Sequence, residues 1–270
     1  GQSTLTHAIG DVFTGILQDG KREGRGKVVY ANGDLYEGQF HKDRRHGNGT
    51  FLAADGYRYS GSWQNGKISG RGEVRYPDGS IYVGAFVDDL PEGVGKITYP
   101  DGSTYEGNWK AGVIEGAGKA TYPNGLVYEG SFKNAQNHGY GIMTFADSYR
   151  YEGNWKDGKR HGAGQARYRD GTTYIGGFVE GQRSGEGYIK MKDGFSYTGE
   201  WLAGEIHGMG TATYANGDVY TGSFVNGRRQ GEGTMRYATG GVASGTWENG
   251  VLQPAEDTAP APEDAASPSE

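Results

Sequence analysis

Apolar and polar positions alternate with a period of two along short stretches of this chain. Between residues 59 and 82, Tyr59, Gly61 and Trp63 alternate with Ser60 and Ser62. After a six-residue loop, Gly70, Gly72, Val74 and Tyr76 alternate with Arg71, Glu73 and Arg75. Such alternation predicts half-exposed strands with one Gly/aromatic face and one polar face. Pro77-Asp78-Gly79 then supplies a turn, which recurs as Pro100-Asp101-Gly102 and Pro123-Asn124-Gly125. Each block therefore reads as a β-hairpin whose final turn leads into the next hairpin.

The block returns every 23 residues, ten times from Phe13, without insertion or deletion. Tyrosine stands at Tyr36, Tyr59, Tyr82, Tyr105, Tyr128, Tyr151, Tyr174, Tyr197 and Tyr220, with glycine two residues after each. A Gly-x-Gly pair recurs from Gly24/Gly26 to Gly231/Gly233. A strict period of this size indicates a stacked repeat array. The predicted fold is all-β: an elongated single-layer antiparallel β-meander of about 20 strands, twisted and curved into a trough. A glycine between aromatics weakens a strand unless a neighbouring ring covers its bare backbone. Tyr and Trp can do so while keeping OH and NH groups accessible. Tyr59, Trp63, Tyr82, Tyr105, Trp109, Tyr128, Tyr151, Trp155, Tyr174, Tyr197 and Trp201 are accordingly the predicted lining of a partner-binding trough.

Composition sharpens this picture. Of 270 residues, 52 are glycine and only 34% are hydrophobic, which argues against a thick apolar core. All glycines but Gly1, Gly177 and Gly241 fall on fixed phases of the repeat, so they specify structure rather than low complexity. Three segments are visible: a lead-in at 1–9, the array at 10–252, and an acidic Pro/Ala-rich tail at 253–270 expected to be disordered. The net charge is −6, and five acids without a base lie within 251–270, leaving about −1 for residues 1–250. No general basic field is present to attract nucleic acid. The absence of cysteine excludes disulfides and thiolate metal sites. Together with a chain that begins at Gly1, read as a trimmed N-terminus, it leans towards an extracytoplasmic setting, with a cytoplasmic or peripheral one as the alternative.

The run Tyr105-Glu106-Gly107-Asn108-Trp109, followed by Gly112, Gly116 and Gly118, resembles the MORN repeat (membrane occupation and recognition nexus). So does Tyr151-Glu152-Gly153-Asn154-Trp155 with Gly158, Gly162 and Gly164, and the likeness extends over nearly the whole array. It implies a single-layer sheet of about ten hairpins. It also implies scaffolding or protein binding in the trough, dimerisation and, in some members, phospholipid binding, with no catalysis by the repeats themselves.

Three departures from the plain repeat stand out. The second aromatic alternates between Phe and Trp, from Phe40 and Trp63 to Phe224 and Trp247. This reads either as growth by duplication of a two-hairpin block or as a two-unit step towards a partner. One loop phase holds Lys21-Arg22, Arg44-Arg45, Lys159-Arg160 and Arg228-Arg229, but Ile68, Leu90-Pro91 and Val113-Ile114 in the middle. These side chains either fold back over the sheet rim or leave Ile68, Leu90, Val113 and Ile114 as an exposed apolar interface edge. His46, His138, His161 and His207 share one phase, and two strands of separation, about 10 Å, is too far for a shared metal.

No nucleophile elbow, HExxH or phosphate-binding loop is present, and the Gly-x-Gly pairs precede strands rather than helices. The expectation is a non-catalytic scaffold without cofactor or metal, holding a protein partner as peptide or helix and self-associating as a dimer. Phospholipid or saccharide binding along the aromatic ladder are the alternatives.

Overall fold

The structure is a computed structural model and describes residues 1–256. Most of the 253–270 tail lies outside the described residues. The described residues are all-β and divide into two compact units, meeting in sequence at Arg169 and Asp170. The first unit holds 15 strands, from Ser3–Thr6 to Lys159–Arg167. The second holds eight, from Thr173–Val179 to Val251–Leu252. Within each unit every strand pairs antiparallel with the next in sequence, giving a meander. The lead-in contributes Ser3–Thr6, which pairs with Val12–Gln18.

The hairpin of residues 58–75 represents the rest. A seven-residue strand, Arg58–Gln64, carries the tyrosine, and a nine-residue strand, Lys67–Arg75, carries the glycine pair. The six-residue loop expected between them is not there: the connection is the two-residue turn Asn65-Gly66. Its φ values of 50° and 86° are the left-handed pair that a tight hairpin turn requires and that Asn-Gly adopts readily. Sequence alternation concealed this because the register slips inside the hairpin. Gly61 faces Gly72, but the next aligned pair is Trp63 and Ile68, so four steps on one strand match two on the other. Gly70, at φ 97°, lies inside that bulge.

The connection to the next hairpin is the Pro-Asp-Gly turn. Gly79 N–H donates to the Tyr76 carbonyl at 3.0 Å, and Ser80 N–H donates to Asp78 Oδ1 at 2.8 Å. Neighbouring hairpins are also tied at the opposite edge. The N–H of Gly66 donates to the Arg45 carbonyl at 2.8 Å, and Gly112 donates in the same way to Pro91.

The core of each unit is a line of rings lying on glycine backbone. Each tyrosine covers a cross-strand glycine pair such as Gly61 and Gly72. A methyl carbon on Gly72 would lie 2.5 Å from the Tyr59 hydroxyl oxygen, so this pair admits no side chain. Each ring then meets the second aromatic of its own repeat and of the next, edge to face, with centroids 5.2 Å apart for Tyr59–Trp63 and 5.4 Å for Tyr59–Phe86. Edge-to-face stacking suits the ring quadrupoles and adds to the area they bury. A single layer thereby obtains a core without a second sheet.

Candidate functional site

The predicted trough lining occupies the core itself. Tyr59, Tyr82, Tyr128, Tyr151, Tyr174 and Tyr197 are 0% exposed and Tyr105 is 2% exposed. Their hydroxyls do not face a groove. Tyr59 donates to the Ser62 carbonyl at 2.6 Å, Tyr105 to Asn108 at 2.8 Å and Tyr197 to Glu200 at 3.0 Å. Tyr82, Tyr128, Tyr151 and Tyr174 make the same bond three residues on. Burial pushes the phenols of Tyr82, Tyr105, Tyr151 and Tyr197 up to about 12, and raises Tyr59 and Tyr128 further.

Trp63, Trp109, Trp155 and Trp201 are also buried. Each indole N–H donates to a glycine carbonyl of the preceding hairpin: Gly49 and Gly95 at 3.0 Å, Gly141 and Gly187 at 3.1 Å. The accessible OH and NH groups expected from the sequence are therefore consumed internally, because the bulged backbone presents a carbonyl within reach of each.

The basic loop phase folds back over this ladder. Arg45 Cζ stands 4.5 Å above the Trp63 ring, Arg183 4.6 Å above Trp201 and Arg22 4.9 Å above Phe40. Arg22 Nε also donates to Asp43 Oδ1 at 2.6 Å. In the middle repeats Ile68 and Ile114 occupy the same place and are buried. Only half of the expected interface edge is therefore open: Leu90 and Val113 are exposed, whereas Ile68 and Ile114 are not.

The histidine phase has a structural task. His46 and His138 stand with Nδ1 3.4 and 3.3 Å from the turn N–H of Asn65 and Asp157. At the same phase, Glu92 and Glu115 accept from Ala111 and Asn134 at 2.6 and 2.9 Å. At these positions, and at Glu23 and Gln230, the side chain is an acceptor that caps the next hairpin's turn, whereas His207 Nδ1 is buried with no hydrogen-bond partner. Among the described residues no cluster of His, Asp and Glu is arranged to hold a metal.

What the aromatic side does offer is a rim. Tyr76, Tyr99 and Tyr122 close the nine-residue strands on the ladder's side of the sheet, each followed by proline at Pro77, Pro100 and Pro123. Tyr99 is 37% exposed and Tyr122 42%. Met191 and Tyr237 hold the corresponding, similarly exposed places in the second unit. These residues were visible in the sequence only as the residue before each turn, a recurrence that marks a rim once the face is known.

The arrangement defines a class: a glycine-seamed, ring-stacked β-hairpin repeat protein. The chain belongs to the MORN repeat family. Ten stretches match the MORN repeat, at 13–35, 36–56, 59–81, 82–104, 105–127, 128–148, 151–173, 174–195, 197–219 and 220–242. No curated protein matches the chain. Among solved structures, it is similar to the TCP10 domain of Danio rerio CPAP in complex with a STIL peptide. There the identity is 12% and the TM-score 0.45, over 92% of this chain and 100% of that one. It is also similar to the Drosophila melanogaster SAS-4 TCP domain in complex with a proline-rich motif of Ana2. That match has 14% identity and a TM-score of 0.32, over 74% of this chain and 90% of that one. At these TM-scores neither structure bears on the ligands of this chain.

Proposed function

We propose that the chain is a non-catalytic protein-binding module that holds a partner segment on the aromatic side of its hairpins, along the rim of Tyr76, Tyr99 and Tyr122. The observation that carries this reading is the row of half-exposed tyrosines with adjoining prolines, set at one-repeat intervals beside a ladder of buried, hydrogen-bonded rings. Tyrosine is favoured at binding hot spots because it offers a large contact area and a polar tip at little entropic cost. The buried ladder serves this function indirectly, by fixing the spacing of the rim.

The test uses the full chain as bait in its native extract, beside a Tyr99→Ser/Tyr122→Ser variant with an unchanged melting temperature. A protein captured by the first and lost from the second is the expected result. Equal capture by both overturns the rim as the binding surface. Tyr128→Ala is unsuited as a control, since it leaves a cavity in the core and destabilises the hairpins that carry the rim.

A further inference from the structure

We propose that the opposite, non-aromatic face carries a second docking surface around residues 58–94, built for an extended acidic segment whose carboxylates alternate with branched apolar side chains. The proposal does not rest on the aromatic-rim reading, because the two surfaces lie on different faces of the sheet.

The strand register places Arg58 directly opposite Arg75. Like charges at directly opposed sites destabilise a sheet, so such a pair calls for an anion. Arg71 joins them: Arg58, Arg71 and Arg75 line one depression of about 440 Å3 together with Ser60, Glu73 and Val83. Glu73 is the single carboxylate among them, and it already accepts from Arg75 Nε at 2.8 Å. Arg58 and Arg71 form no ion pair among the described residues. Three guanidiniums against one carboxylate make a local cationic site on an array whose charge is otherwise close to balanced. Guanidinium binds carboxylate through two parallel hydrogen bonds, which gives geometry as well as attraction.

The same depression has an apolar wall. Val83 belongs to the strand Ile81–Val87, which is apolar on both faces through Ile81, Val83, Ala85 and Val87 on this side. Val83 is 47% exposed and Val87 52%. Val87 pairs with Leu90, and Val94 on the same strand as Leu90 is 61% exposed. Cationic and branched apolar groups thus adjoin on one face, which fits a segment that alternates the complementary kinds.

A natural comparison lies in the same unit. Arg150 and Arg167 are also directly opposed, and there too one of the two is paired, Arg150 with Glu152 at 2.7 Å; the difference is the third cation, since Ala163 stands at the phase of Arg71.

The probe is a short fluorescein-labelled peptide alternating Asp with Val, titrated with the full chain and read by anisotropy. Two control peptides carry Asn for Asp, or Ser for Val. The Asp/Val peptide is expected to bind, and each control to bind about tenfold more weakly or less. Arg58→Gln with Arg71→Gln, and separately Val83→Ser with Val87→Ser, are expected to weaken binding about tenfold. Arg167→Gln is expected to leave it unchanged. The arginine variant relieves like-charge repulsion, so its melting temperature does not fall and lost binding is not lost fold. No binding at millimolar peptide, or unaltered binding by the arginine variant, overturns the proposal. So does equal binding of the Asp/Ser peptide, which would make this a general anion surface. Arginine-dependent capture of phosphatidylserine vesicles without peptide binding would assign the surface to a lipid and likewise overturn it.

Discussion

The Trp/Phe alternation acquires a cause at the scale of single atoms. An indole carries one N–H, and each of Trp63, Trp109, Trp155, Trp201 and Trp247 spends it on a glycine carbonyl 14 residues earlier. Phenylalanine has no such donor. In two of the Phe repeats the turn position next to the previous hairpin holds Asp43 or Asp89 in place of glycine. Their Oδ1 atoms accept from Arg22 Nε at 2.6 Å and Ile68 N–H at 2.8 Å. Some repeats are thus tied by an indole and others by a carboxylate. The spacing alone showed the alternation but not its purpose, because the accepting carbonyl is reached only across the bulge. Trp109→Phe keeps a ring in a site that neighbouring repeats fill with phenylalanine, and removes the hydrogen bond to Gly95. It should cost about 2 kcal/mol, from the lost bond and the smaller ring. A denaturant midpoint unchanged from wild type would show that the indole bond contributes nothing. Ala135 offers the opposite test at the same turn position. It sits at φ 63°, where a β-carbon is strained, so Ala135→Gly should stabilise by about 1 kcal/mol in the same titration.

In the hairpin, the period-two alternation of Tyr59, Gly61 and Trp63 was legible because a one-residue slip would turn every ring to the other face. The connection was not legible. Gly66 reads as a loop residue and Gly70 as the start of the next strand, yet one belongs to a two-residue turn and the other to a bulge inside a strand that already begins at Lys67. Composition cannot separate these uses of glycine; only the register does. The seam glycines differ from both, since what matters there is the space above them. A methyl group on Gly72 meets the Tyr59 ring 2.5 Å away at both Cε2 and the hydroxyl oxygen, while Tyr59 is itself held by its bond to Ser62. Gly72→Ala should therefore displace the ring and cost about 3 kcal/mol, at the upper end for overpacking. Gly66→Ala meets no atom within 4 Å and carries only backbone strain. A melting series in which the two substitutions cost the same would mean that the ring does not rest on the seam.

Across the whole molecule, the buried phenols make stability depend on alkaline pH. A free phenol ionises at about 10. Burial raises Tyr36, Tyr82, Tyr105, Tyr151 and Tyr197 to about 12 and lifts Tyr59 and Tyr128 further, because the phenolate would lose its water. A raised folded-state value means that the native state holds its protons more tightly than the unfolded chain does. The tyrosine contribution is then fully present below about pH 10 and is lost as pH climbs towards about 12. Several tyrosines act together, so the fall should be steep, with several protons released per unfolding event. Urea midpoints measured against pH should be flat on this account between neutrality and about pH 9, then drop sharply. Tyrosinate absorbance should rise in step with loss of β-structure rather than before it. Smooth phenol titration near pH 10 with the fold intact would place the rings in water. The ladder would then be the open trough that the sequence suggests, and the ladder rather than the Tyr76, Tyr99 and Tyr122 rim would be the surface that holds the partner.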